Sequence, residues 1–207
     1  MDIKMTGWNL WGIEHRLAKR VLERLTAGEA MSEQKFLKCK LGIEALINNM
    51  FKLSIVYAVA FVMNTFLATL FVHLGFLAIR TFAYGAHAKS SVGCIGISTL
   101  ALVGLPLLIQ KTFLFPRVVL LLAALLIAYG LWEYAPGTTA KNKITSEIKK
   151  KRLKKRALFS CFLTIVISSL LPLLEANLLL IGNLLAVCCI IPVFIKKGGN
   201  QDEKISD

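Results

Sequence analysis

The sequence predicts an all-α fold: a polytopic membrane helical bundle of about six transmembrane helices, preceded by an N-terminal amphipathic interfacial helix. Hydrophobic residues make up 56% of the 207 residues, whereas about 45–50% is usual in a soluble domain. Charged residues are concentrated in blocks between apolar runs of about 18 residues or more, as they are around membrane-spanning helices. Alternating strand patterns are absent, so we do not expect a transmembrane barrel. We predict one membrane domain, residues 1–207.

The formal net charge of +13 and the five cysteines narrow the classes of function. In a soluble protein such a charge would suggest nucleic acid. In a chain with membrane spans, the simpler explanation of the charge is that Lys and Arg keep the loops between the spans in the cytoplasm. We therefore expect no nucleic-acid partner. No CxxC pair occurs, and we therefore expect neither a zinc site nor a disulfide framework. We also expect no cofactor.

The first forty residues form a predicted cytoplasmic and interfacial segment. Within it, residues 8–27 follow an amphipathic helix pattern with charged positions opposite the apolar ones. The apolar face consists of Leu10, Ile13, Leu17, Val21 and Leu25. A helix of this kind lies in the membrane interface. The alternative is a helix packed on a neighbouring subunit.

The predicted transmembrane bundle covers residues 43–195. Its first apolar run, 53–79, is longer than one transmembrane helix needs and shorter than two helices need. Asn64 lies near the middle of the run. We predict two spans, 43–62 and 65–80, with a tight turn at Asn64, and one long tilted helix is the alternative. The further spans are predicted at 93–110, 117–135, 157–174 and 177–195.

Residues 136–156 form a predicted basic loop with nine Lys or Arg residues and one acidic residue. The positive-inside rule places this loop in the cytoplasm. Counting spans from it places both termini and residues 81–92 on the cytoplasmic side of the cell membrane. The turns near Asn64, 111–117 and 175–177 then face outside. Five spans would instead put the basic N-terminus outside.

One stretch at the predicted cytoplasmic boundary carries reactive side chains: RTFAYGAHAKSSVGC, residues 80–94. A histidine near a cysteine takes the thiol proton and leaves a nucleophilic thiolate. His87 and Cys94 are seven residues apart, about 10.5 Å along an unbroken helix, so the chain between them must bend, and Gly85 supplies freedom for it. A helix beginning near Ser91 would put Cys94 in its first turn, where the helix dipole favours a thiolate.

Other interpretations of the polar residues stay open. A His and a Cys within ten residues of each other are common by chance. If that is the case here, His87 and Cys94 are only packing residues of the helical bundle. A transporter of small peptides or solutes would use Asn48, Asn49 and Lys52 to line a path, because polar groups at membrane depth usually face protein or water. A membrane scaffold would have no chemistry. We predict that His73 is a helix-packing or interfacial residue.

The order Arg80, then Gly85-Ala-His87-Ala, then Cys94 resembles the signature of the AgrB family, the membrane cysteine peptidases of quorum sensing in Gram-positive bacteria. The similarity extends to the chain length, the amphipathic N-terminus, the several spans and the basic loop in the second half. Tyr84 departs from the signature, since many members carry a second glycine there. This departure leaves the backbone geometry at that position open.

The resemblance implies a definite reaction, the cleavage of an AgrD-like precursor peptide near its C-terminal end. It makes Cys94 the nucleophile and His87 the general base. Arg80 would anchor a substrate carboxylate or its own fold, and Gly85 would be a backbone hinge. A Cys or Ser of the precursor would attack the thioester acyl-enzyme and close a thiolactone or lactone, the future autoinducing peptide. A homodimer is implied as well, and the basic loop is expected to meet the acidic precursor tail or membrane lipids.

Overall fold

The computed structural model describes Arg20, Val21 and Arg24 and residues 32–83, 91–111, 114–137 and 146–191. All regular elements within these ranges are helices, which confirms the predicted all-α class. Within the amphipathic helix predicted over 8–27, the structure describes only Arg20, Val21 and Arg24. Its place in the membrane interface therefore stays a prediction.

Seven α-helices and one π-helical segment make up the described part of the chain. The structure divides into two units, Met1–Ile55 and Val56–Asp207, and the residues discussed below as a site belong to the second. In chain order the elements are α1 (Glu33–Val62), α2 (Phe66–Ala83), α3 (Ser91–Thr99), the π-helical segment (Leu100–Gly104), α4 (Leu105–Lys111), α5 (Arg117–Tyr134), α6 (Glu147–Leu170) and α7 (Leu173–Cys188).

The apolar run 53–79 is broken at Asn64, as the sequence predicts. Helix α1 ends at Val62 and α2 begins at Phe66. Asn64 has a φ angle of 59°, a left-handed conformation that asparagine tolerates better than most residues. Its N–H donates to the Phe61 carbonyl at 3.0 Å and closes the turn. The alternative of one long tilted helix is therefore wrong.

Two predicted boundaries in the C-terminal half are wrong. The turn predicted at 175–177 lies at Leu171–Pro172, because a proline disfavours the helical conformation in the residue before it and is well suited to begin a helix. The basic stretch predicted as a loop over 136–156 becomes helical at Glu147, where the Ser146 side chain caps α6. Lys and Arg are good helix formers, so α6 continues from the basic stretch into the apolar span.

Three of the described helices are long and apolar enough to cross a membrane, namely Phe66–Ala83, Gly93–Lys111 and Arg117–Tyr134. The second of these contains most of α3, the π-helical segment and α4. Two shorter apolar helices, Asn49–Val62 and Leu173–Cys188, accompany them. The total of about six spans stays a prediction.

Helices α2 and α7 make the most extensive helix–helix contact among the described elements. Gly75 faces the Leu179 carbonyl, and Gly182 faces the backbone of Val72 and Phe76. A β-carbon at either glycine would strike the backbone of the other helix. Small residues let membrane helices approach this closely.

Hydrogen bonds define the two ends of the second unit. At one end, here called the Ala83 end, the Gly137 N–H donates to the Ala83 carbonyl at 2.8 Å and joins the C-terminal ends of α2 and α5. Ile190, just beyond α7, belongs to the same core cluster as Ala83. At the opposite end, the Phe115 N–H donates to the Asn177 side chain at 3.0 Å and ties the start of α5 to the start of α7. Helices α2, α5 and α7 therefore run in the same direction.

The core cluster at the Ala83 end draws on α2, α5, α6 and α7. Cys161 is 1% exposed within it and behaves as the small apolar residue that the sequence predicts. The buried members are Ile79, Ala83, Ile127, Leu131, Ala135, Ala157, Cys161, Ala186, Val187 and Ile190. This cluster holds the helix ends on which the candidate site is built.

Candidate functional site

Cys94 lies in the first turn of α3, as the sequence predicts. The helix begins at Ser91, and Cys94 is its fourth residue. Its side chain is half-buried and forms no disulfide. Reactive cysteines are found at helix N-termini, where the dipole of the helix favours negative charge. Cys94 thus has the location expected of a nucleophile.

Arg80 lies in the last turn of α2 and is half-buried. Its guanidinium carbon is 6.0 Å from the centroid of the Phe76 ring, at the limit of cation–π range. The guanidinium also interacts electrostatically with the side chains of Cys94 and Cys189. The structure therefore brings together two of the four residues that the sequence singles out, a cation on α2 and a thiol on α3.

The other two residues, His87 and Gly85, lie outside the described residues, as does Tyr84. The pairing of His87 with Cys94 stays a prediction. The two ends of that segment are described, because α2 ends at Ala83 and α3 begins at Ser91. The seven residues between them, 84–90, include His87.

Cys189 is a residue of this site that the sequence does not reveal. It lies in the turn that follows α7 and is half-buried, whereas its neighbour Cys188 is exposed. The apolar sequence around it suggests only packing, and no spacing relates it to Arg80. The signal that could have found it is a pair of glycines, Gly75 and Gly182, each inside an apolar run. Such a pair indicates close helix packing, which here brings the ends of α2 and α7 together.

The residues proposed for a transport path have mixed surroundings. Asn49 is exposed and Lys52 is half-buried, and the side chain of Asn48 lies outside the described part of the structure. A cavity of about 130 Å³ opens instead between α5, α6 and α7, with Arg117 and Ser168 among its lining residues. It lies toward the end opposite Ala83 and is remote from Cys94.

His73 is a packing residue, as predicted. The imidazole is 8% exposed, and its Nδ1 atom lies 2.7 Å from the Tyr57 hydroxyl, within hydrogen-bonding distance. The two rings also stack at a tilt, with centroids 5.7 Å apart. The contact joins the C-terminal part of α1 to α2.

A second polar surface extends from the Ala83 end. The N-terminal part of α6 carries seven basic residues between Lys149 and Arg156, all exposed except the half-buried Lys154. The Lys154 ammonium lies 4.9 Å from the centroid of the Trp132 ring of α5. We call residues 149–156 the basic segment. Within the described ranges, His, Cys, Asp and Glu side chains form no cluster of three or more that could hold a metal ion.

Comparison with known proteins decides the family. The family model for accessory gene regulator B matches residues 16–195, most of the chain. The chain belongs to the accessory gene regulator B family. The match includes every residue of the candidate site, and with the three long apolar helices it identifies a membrane protein.

Individual family members match over most of their length. An accessory gene regulator protein B of Staphylococcus carnosus is 34% identical over 187 residues, covering 86% of this chain and 97% of that protein. The protein of the same name from Staphylococcus intermedius is 35% identical over 185 residues, covering 88% and 95%. A putative AgrB-like protein of Lactiplantibacillus plantarum is 30% identical over 193 residues, covering 91% and 93%. No solved structure matches the chain.

Proposed function

We propose that this protein is a membrane-embedded cysteine endopeptidase that matures a peptide signal of the agr quorum-sensing system. Membership of the accessory gene regulator B family supports a role in that system. The observation that carries the chemical part of the proposal is the position of Cys94, in the first turn of α3 and within range of an electrostatic interaction with Arg80. A thiol near a cation at a helix start is a typical setting for a cysteine nucleophile.

The first step is cleavage of an AgrD-like precursor. His87 accepts the Cys94 proton, and the thiolate sulfur forms a bond with the scissile carbonyl carbon. The carbonyl oxygen becomes an oxyanion, which N–H groups in the first turn of α3 and the Arg80 guanidinium stabilise. The C–N bond then breaks, His87 returns the proton to the leaving amine, and the C-terminal fragment departs. A thioester to Cys94 remains.

The second step is cyclisation. A Cys or Ser side chain within the bound precursor gives its proton to His87 and attacks the thioester carbonyl. The bond to the Cys94 sulfur breaks, a thiolactone or lactone forms, and His87 returns the proton to the Cys94 thiolate. Exchange of one thioester for another is close to neutral in free energy, so the high effective concentration of the internal nucleophile decides the outcome. Exclusion of water at a membrane boundary protects the thioester from hydrolysis.

The site is proposed to face the cytoplasm, with both chain termini on the same side. The basic segment projects from the Ala83 end, and the positive-inside rule favours the cytoplasm for it. Its exposed cations would attract the acidic tail of the precursor and the anionic lipid headgroups beside it. We propose a homodimer as the working form.

A cleavage assay tests the proposal. The protein is reconstituted in vesicles with its cognate precursor, and the released C-terminal fragment is measured by mass spectrometry. Cys94→Ala is expected to lower the rate by about 10³-fold or more, since a nucleophile is lost. The matched control is Cys188→Ala, an exposed cysteine that should cleave at the wild-type rate. Cleavage that persists in Cys94→Ala would remove the nucleophile assignment.

A further inference from the structure

The cavity between α5, α6 and α7 has apolar walls. Its volume is about 130 Å³, close to the roughly 150 Å³ of an engineered apolar cavity that binds one benzene molecule. Leu120, Ala124 and Leu180 belong to one buried cluster, against which Ile165 packs, so side chains of all three helices fix the walls. The full lining consists of Arg117, Leu120, Leu121, Ala124, Ile165, Ser168, Ser169 and Leu180. The space therefore fits a short piece of hydrocarbon.

Arg117 places a positive charge at one end of this cavity. Its guanidinium donates to the Ser169 carbonyl at 3.0 Å and to the Leu171 carbonyl at 3.1 Å, both at the C-terminal end of α6. These two hydrogen bonds hold the side chain across from α5 to α6. They use two of the five N–H donors of the guanidinium. Arg117 is exposed, so the other donors are accessible to a ligand outside the protein.

The charge of Arg117 calls for an anionic group. Within the described ranges the ion pair present joins Lys150 to Glu147, and no described carboxylate pairs with Arg117. Arg117 is the first residue of a helix that is long and apolar enough to cross a membrane. Lipid headgroups lie at the level where such a helix leaves the hydrocarbon. Phosphate is the anion found there, and guanidinium binds it through parallel N–H donors.

The cavity extends from this cation in the direction that an acyl chain takes from its headgroup. From Arg117 to Ala124 the lining follows α5 for seven residues, about 10.5 Å of helix. The hydroxyl groups of Ser168 and Ser169 donate to carbonyls of their own helix, at 2.8 and 2.7 Å. They therefore present no unpaired donor to a hydrocarbon chain.

We propose that this cavity binds one anionic phospholipid, whose phosphate pairs with Arg117 while an acyl chain fills the space between α5, α6 and α7. The lipid would join three helices at a place where their own side chains leave a gap. The site lies at the end opposite Ala83, away from Cys94 and from the basic segment. It is therefore independent of the proposed peptidase chemistry.

The test locates lipid on the intact chain. The protein is reconstituted in phosphatidylcholine vesicles with a small fraction of a lipid that carries a photoreactive diazirine in one acyl chain. Two probes with identical chains are compared, a phosphatidylglycerol and a phosphatidylcholine. After irradiation and digestion, mass spectrometry gives the labelling of Leu120 and Ile165 in the cavity. Leu126, an exposed residue on another face of α5, is the reference for lipid gathered around the protein in general.

Relative to Leu126, we expect the phosphatidylglycerol probe to label Leu120 about fivefold more than the phosphatidylcholine probe does, as one arginine near anionic lipid implies. Arg117→Gln keeps an amide donor for the α6 carbonyls and should abolish this preference. The matched control is Lys111→Gln, which removes an exposed cation just before α5 and should leave the preference intact. Ala124→Leu fills the cavity and should cause a loss of Leu120 labelling by both probes.

Three results would overturn the inference. The first is equal labelling of the cavity by the two probes in the wild type. The second is a preference that persists in Arg117→Gln, or cavity labelling that persists in Ala124→Leu, a variant that leaves the cation in place. The third is labelling of Leu126 with none of Leu120 or Ile165, because the cavity is then closed to lipid or covered by a second copy of the chain.

Discussion

Gly182 is the position at which a single methyl group should separate two helices. A β-carbon there would lie 2.7 Å from the Phe76 nitrogen and 2.9 Å from the Val72 carbonyl carbon, against an ordinary contact of 3.4–4 Å. The neighbours are backbone atoms, so no rotamer change relieves the overlap, and α2 and α7 must move apart by roughly 0.7 Å or more. Overpacking of this kind costs about 3 kcal/mol at its upper end, offset by about 1 kcal/mol from the better helix propensity of alanine.

The expected net loss for Gly182→Ala is therefore about 2 kcal/mol, or a melting temperature lower by about 4–8 °C for a chain of this size. Thermal unfolding in detergent micelles, followed by circular dichroism, measures it. Gly96→Ala is the matched control, because no described residue lies within 4 Å of a β-carbon at Gly96, and it should gain about 0.5–1 kcal/mol. If Gly182→Ala melts as late as Gly96→Ala, the close contact of α2 with α7 is refuted.

Three further predictions use the same unfolding assay. At Asn64, whose φ is 59°, glycine should be tolerated while valine costs about 1–2 kcal/mol. Asn177→Ala should cost about 2–3 kcal/mol, because it removes two hydrogen bonds to the Phe115 backbone, at 3.0 and 3.1 Å. Thr164→Val should cost about 1–2 kcal/mol, since it removes the acceptor 2.7 Å from the Asn183 Nδ2 atom. Asn183→Leu should cost less, because the buried Asn183 Oδ1 atom accepts no hydrogen bond from the described part of the chain.

Each of these predictions has a contrary result. Equal stability of the valine and glycine variants at Asn64 would mean that the turn does not need a left-handed residue. An Asn177→Ala variant no less stable than Asn49→Ala, a change at an exposed asparagine, would remove the tie between α5 and α7. A larger loss in Asn183→Leu than in Thr164→Val would show that the buried amide has a stabilising partner.

The sequence predicts the helix order well where a local signal is strong. The break at Asn64 follows from a polar residue in an apolar run that is too long for one span. The start of α3 near Ser91 follows from a small hydroxyl residue after a glycine-containing segment. Both signals act within a few residues, so neighbouring elements do not override them.

The sequence misplaces two boundaries, because in each case a strong local signal overrides a weaker one. Glu175 and Asn177 suggest a polar turn, but Pro172 ends α6, and Asn177 is buried as a hydrogen-bonding residue inside α7. The charge of the basic stretch suggests a loop, although Ser146 caps the start of a helix there. Charge predicts exposure, which the structure shows, but it does not exclude a helix.

The electrostatic interaction of Arg80 with Cys189 is beyond what a local sequence pattern can predict. The two residues are more than one hundred positions apart in sequence, and only the parallel packing of α2 on α7 brings the ends of their helices together. The sequence feature that indicates this packing is the pair of glycines at 75 and 182. The pairing of His87 with Cys94, by contrast, stays a prediction, because His87 lies outside the described residues. Cys94 lies in the helical turn in which the sequence predicts it.

The covalent intermediate tests the central claim most directly. Reconstituted protein is mixed with the cognate precursor, quenched in acid within the first turnover and digested, and the modified cysteine is located by mass spectrometry. The account predicts a hydroxylamine-sensitive thioester that joins the N-terminal part of the precursor to Cys94. Cleaved precursor with no acyl group on Cys94, or with the acyl group on another of the five cysteines, would contradict it.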